Sequence, residues 1–253
     1  MSTRTVWVGP VASFQVHAPA SDVFISCVGA DGSPICADLD LASVLASKGV
    51  SGDIILHGFS AGGDAIKKFL ADPTARARTV AVVAHDATYQ GFGSDEGFIA
   101  YGTEAAQGDR IFVATASSPS SSNARGGISD SASMEALRQA IEARTGRQFQ
   151  ATSAPWATKP PVKAWVLGRC MLLDFGTEYT HGEHATALAV PLFENVVKPW
   201  LDAPVPYTAP AQPGSEPEPE QPEGHGRLIG TVLIGVGVFM AIALIAKRVD
   251  GSW

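Results

Sequence analysis

The chain has 253 residues, 45% of them hydrophobic, which is enough for one α/β domain with appendages around a sizeable core. Its formal charge of −7, with no Lys/Arg-rich run and no interleaving of basic and aromatic residues, excludes a nucleic-acid partner and argues against binding of acidic polymers. Cys27, Cys36 and Cys170 have no C-x-x-C spacing and no clustered histidines beside them, so neither a disulfide framework nor a zinc site is expected, and Cys27 and Cys170 read as small core residues.

Met1 to Pro10 lacks the charged start and long apolar run of a secretory signal. Thr5 to Val16 suggests one or two opening strands interrupted near Gly9-Pro10. Asp22 to Val28 is a clearer strand, ending at the loop Gly29-Ala30-Asp31-Gly32, and a helix follows from about Asp38 to Lys48 with Gly49 as its stop. Next come Ile54-Ile55-Leu56, short and apolar as befits a strand covered on both faces, and then Gly58-Phe59-Ser60-Ala61-Gly62. Ala61, Ala65, Ile66, Phe69 and Leu70 continue at helical spacing, and Asp72-Pro73 breaks the pattern. Thr79 to Ala84 is the next strand, followed by His85-Asp86, a helix from near Ser94 to Gln107, and a strand over Arg110 to Thr115. Ser117 to Gly127 is a Ser/Gly-rich loop, either a lid or a long connection. Ser131 to Arg144 is an amphipathic helix, Val162 to Leu173 reads as one last extended strand, and a closing helix after His184 carries Leu188, Leu192, Val196 and Trp200. Strands alternating with helices at this spacing predict a doubly wound, mostly parallel sheet, whose ligands bind beyond the C-terminal strand ends.

Gly58-Phe59-Ser60-Ala61-Gly62 matches the G-x-S-x-G elbow, in which a sharp strand-to-helix turn lifts a serine hydroxyl above the sheet edge. Its other reading is a glycine-rich βα turn with Ser60 as helix N-cap. With an acidic residue after a later strand and a histidine after the last, the stretch from about Val23 to Leu201 resembles the α/β-hydrolase superfamily. The resemblance implies Ser60 as nucleophile, His184 as base, Asp86 as orienting acid and the Ala61 N–H as one oxyanion donor. The second donor is expected from the loop at Gly29 and Ala30. Asp130 and Asp174 stand as alternative acids and His181 as the alternative base. His57 reads as a packed histidine or pocket wall, His85 as pointing to the opposite face from Asp86, and His17 and His225 carry no local argument. No metal or cofactor is called for.

From Asp202 to Arg227 the composition turns to Pro, Glu, Gly and Ala, a solvated linker with little to bury. Leu228 to Ala246 is about nineteen residues without a charge, long enough to cross a bilayer, and 247–253 is a short polar tail. Residues 1–201 are thus expected to form the hydrolase-like domain. Insertion by the tail would leave it in the cytoplasm, although Lys247 and Arg248 pull the other way. The sequence leads to a membrane-anchored serine hydrolase acting on an ester, thioester or amide of small or lipid-like acyl type. The competing reading is a non-catalytic module of the same fold that binds or assembles at the membrane. Oligomeric state is left open.

Overall fold

The computed structural model describes residues 3–10, 22–29, 32–33, 35–89, 95–118 and 130–203. These all belong to the first of two units into which the chain divides, Met1–Pro210 and Ala211–Trp253. The linker beyond Ala203, the apolar stretch 228–246, most of the loop Ser117 to Gly127, and His17 and His225 lie outside the described residues. Among the described residues no helix is long and apolar enough to cross a membrane.

The first strands are β1 (Arg4–Gly9) and β2 (Val23–Ser26); α1 (Leu41–Ser47) follows, then β3 (Ile54–Phe59) and α2 (Gly62–Leu70). After α3 (Pro73–Arg78) come β4 (Thr79–His85), α4 (Asp95–Gln107), β5 (Ile111–Ala116) and α5 (Asp130–Thr145). The remainder is β6 (Gln150–Ala151), β7 (Lys163–Leu167), β8 (Cys170–Asp174), α6 (His181–Thr186), α7 (Ala189–Leu192), a π-helical turn Phe193–Val197, and α8 (Lys198–Asp202). The strands form one eight-stranded sheet in the order β2-β1-β3-β4-β5-β8-β7-β6. From β2 through β8 every pairing is parallel; β7 runs antiparallel to β8, and β6 to β7. The architecture is a mixed α/β fold with helices on both faces, as the alternation of elements predicts.

Strand alternation assigns the faces. Val6, Val8, Ile54, Leu56, Val82, Ala84, Phe112 and Ala114 share one buried cluster with residues of α1, α2, α4 and α5. Ile55, Ala81, Val83, Ile111, Val113 and Leu173 face a second cluster, closed by Leu188, Leu192, Val196 and Val197. With both faces covered, β3, β4 and β5 read as nearly continuous apolar runs.

Four local features differ from expectation. The extended stretch Val162 to Leu173 is two strands, because Gly168 at φ 60° opens a two-residue turn with Arg169 and folds β8 back on β7. Asp72-Pro73 starts a helix as well as ending one. The Asp72 carboxylate accepts from the N–H groups of Thr74 and Ala75, and Pro73 occupies the first helical position, where no N–H is needed. The closing helix begins at His181, before His184. Cys27 and Cys36 are joined by a disulfide, correcting the reading of Cys27 as a free core residue. The nine-residue separation is bridged because the N–H of Ile35 returns to the Cys27 carbonyl and brings the two backbones within reach.

Candidate active site

In the order β2-β1-β3-β4-β5, strands are added to one side from β1 to β2 and to the other from β3 onward, and crevices open at the C-terminal strand edge at such a switch point. Ser60 stands there, directly after β3, with φ at 54°. A left-handed backbone is uncommon for a non-glycine residue and is held only where its surroundings dictate it. They do so through two glycines. A Cβ on Gly62 would lie 2.1 Å from the Val8 carbonyl oxygen, and one on Gly63 would lie 2.0 Å from that of Ala87. The start of α2 is therefore wedged between the end of β1 and the segment after β4, and only bare backbone fits. This wedge forces the turn at Ser60 and aims the N-terminus of α2, opening at Ala61, along the sheet edge.

Asp86, directly after β4, is the other non-glycine residue at positive φ among the described ones, at 47°. Its carboxylate is fully buried and accepts from Ser117 and His181. Ser117 N–H reaches Oδ1 at 2.7 Å, Ser117 Oγ reaches Oδ2 at 2.5 Å, and His181 Nδ1 reaches Oδ2 at 2.6 Å. The His181 ring lies over Phe59, the residue before Ser60, with centroids 4.7 Å apart, and its side chain keeps 24% exposure. Acid, imidazole and serine thus gather at one edge.

The structure joins Asp86 to His181 and not to His184. His184 is fully buried one turn further into α6, and its Nδ1 meets Thr115 Oγ1 at 2.7 Å. Burial lowers its pKa, against the raising influence of Asp86. The signal that separates the two histidines was present in the sequence. Thr180-x-x-Glu183 forms a capping box, with Glu183 accepting from the Thr180 N–H, so the helix starts at His181 and turns His184 inward.

Gly29 and Ala30, the expected second oxyanion donors, follow β2, which is not a neighbour of β3. β1, not β2, is the neighbour of β3, so the segment leaving β1 at Gly9-Pro10 adjoins Ser60, and its continuation lies outside the described residues. The Gly29 N–H is spent on the Ser33 carbonyl at 2.7 Å, and Ala30 lies outside the described residues. Of the alternative acids, Asp174 accepts from Ser131 Oγ and from the Gly176 N–H and so braces a turn, while Asp130 opens α5. No group of three or more His, Cys, Asp or Glu suited to a metal occurs among the described residues.

Beneath the site, Phe24, Trp7, His57 and His85 form a row of stacked rings, with Trp7 and His57 centroids 3.9 Å apart and His57 Nδ1 at 3.0 Å from His85 Nε2. Desolvation pushes the pKa of His57 well down and that of His85 to about 3. Both imidazoles are neutral when folded and ordinary when unfolded. The unfolded chain therefore binds more protons below about pH 6.5, and stability present above that value drains away as the pH falls towards about 3. Urea midpoints measured from pH 7.5 to about 4 should decline steadily; midpoints independent of pH over that range would contradict neutral buried imidazoles.

No protein-family model matches the chain, and no curated protein matches it. Among solved structures, poly(aspartic acid) hydrolase-1 from Sphingomonas sp. KT-1 is similar over 78% of this chain and 88% of that one, at 12% identity and a TM-score of 0.42. That likeness is too slight to carry an argument about family or activity.

Proposed function

We propose that the chain is a serine hydrolase that cleaves an ester, thioester or amide through an acyl-enzyme on Ser60. The observation that carries this reading is the serine held at positive φ between a buried strand and a helix N-terminus, with an imidazole stacked on the preceding Phe59 ring and bonded through Nδ1 to a buried carboxylate. With Nδ1–H donated to Asp86, His181 presents Nε2 as the basic nitrogen. It takes the Ser60 proton as the hydroxyl oxygen attacks the acyl carbon, and Asp86 stabilises the imidazolium that forms. The Ala61 N–H, at the start of α2, faces the oxygen on which charge develops. The imidazolium then gives its proton to the leaving group, and water releases the acyl chain by the same steps in reverse.

The apolar stretch 228–246 supports the further reading that a C-terminal anchor holds the domain at a membrane, which raises its local concentration towards lipid-like acyl substrates. The test is labelling of detergent-solubilised protein with a fluorophosphonate probe, which requires an activated serine. Wild type should label and Ser60→Ala should not. A folded wild type that stays unlabelled would sink the hydrolase reading and leave the non-catalytic binding module in its place.

A further inference from the structure

The Asp86 carboxylate shares one oxygen between two donors. Oδ2 receives both the Ser117 hydroxyl and His181 Nδ1, while Oδ1 receives the Ser117 N–H. Ser117 thus reaches both oxygens, and its two bonds hold the plane of the carboxylate. It stands just past β5, whose Thr115 pairs with His85, so the end of β5 carries it alongside Asp86.

Ser117 is itself braced. Its carbonyl lies 3.1 Å from Ser131 Oγ, which also reaches Asp174 Oδ1 at 2.9 Å, and the next N–H, of Ser118, donates to the Gly176 carbonyl at 2.7 Å. Asp174, an acid candidate in the sequence, thereby supports the segment that grips the acid. Serine 117 is 4% exposed, so water does not compete for these bonds.

We propose that Ser117 is a positioning residue for the hydrolytic reaction, orienting Asp86 through two bonds and setting, by its claim on Oδ2, how strongly that oxygen holds the His181 proton. The inference rests on the serine-hydrolase reading above. Its chemistry has a definite sign. Removing the hydroxyl takes one donor from Oδ2, which strengthens that oxygen's hold on the His181 Nδ1 proton and on the imidazolium as it forms. It also frees the carboxylate to rotate, which misaligns the imidazole against Ser60.

The test is the pH dependence of the fluorophosphonate labelling rate of the full chain in detergent, for wild type, Ser117→Ala and Ser117→Thr, with thermal melting as a control for folding. In Ser117→Ala the plateau rate should fall by about ten- to a hundredfold, and the acid limb should move up by about half a pH unit or more. Ser117→Thr keeps a hydroxyl and should restore both. A folded Ser117→Ala with wild-type rate and limb overturns the proposal, as does a lost rate with an unmoved limb that threonine does not rescue. Should Ser117→Ala fail to fold, a displaced limb in Ser117→Thr overturns it. Absence of Ser60 labelling in wild type is a different result, and it removes the hydrolase reading and this inference together.

Discussion

His181→Ala should slow acylation of Ser60 by about a thousandfold, whereas His184→Gln should change it by less than about tenfold. The two residues are three apart on one helix, and the sequence assigns the base to the second of them. The structure separates them by what each Nδ1 meets: the Asp86 carboxylate for His181, and the Thr115 hydroxyl for His184. Only the first pairing fixes a tautomer with Nε2 free to act as base and places a negative charge behind the imidazolium as it forms. The exposure of the two side chains points the same way. The His181 side chain keeps 24% exposure, while His184 Nε2 is buried without a hydrogen-bond partner among the described residues. His184→Gln costs stability through its contacts with Phe175 and Tyr179, so melting temperature is measured alongside labelling. Loss of labelling in a folded His184→Gln with His181→Ala still active would reverse the assignment.

Lys67→Met should destabilise the fold by about 3–5 kcal/mol, a large part of the roughly 5–15 kcal/mol typical of a domain. Lys67 is 1% exposed, in the middle of the helix that follows Ser60. Its ammonium lies 3.3 Å from Asp64 and 2.9 Å from Asp95, and it donates to the Tyr89 carbonyl. One cation thus ties α2 to the segment that leaves Asp86 and to the first turn of α4. Gly97 of α4 packs so closely on the Lys67 carbonyl that a Cβ there would approach to 1.8 Å. Methionine keeps most of the stem's volume and removes the charge, leaving the fully buried Asp64 carboxylate without the ammonium beside it. Urea unfolding measures the loss, and a change under about 1 kcal/mol would show the pair to be dispensable. The double variant Lys67→Met, Asp64→Leu should recover most of the stability, because it removes the buried carboxylate along with the ammonium and leaves only Asp95, whose side chain is 39% exposed to water.

What the sequence determined by itself was local. The turn at Ser60 was legible because its cause lies within a few residues: an apolar run, glycines where neighbouring backbone leaves no room for a Cβ, and a helical pattern after them. The strand faces were legible for the same reason, since alternation along each strand dictates which side chains meet which layer. Asp86 stands out in the sequence because it immediately follows a strand.

Tertiary structure decided what depends on neighbours distant in the chain. That β1 rather than β2 lies beside β3 cannot be read from either strand, and it puts the end of β1, not the Gly29 turn after β2, next to the strand that leads into Ser60. The pairing of Asp86 with His181 and not His184 spans 95 residues, although the capping box at Thr180 and Glu183 held a local clue to the helix start. Ser117 and Lys67 look like an ordinary loop serine and helix lysine until the fold buries them against carboxylates from other elements. The physical reason is common to all of these. Backbone sterics and periodicity act over a few residues and leave their mark in the sequence, whereas the worth of a polar side chain depends on the dielectric and the partners around it, which exist only once the layers have packed.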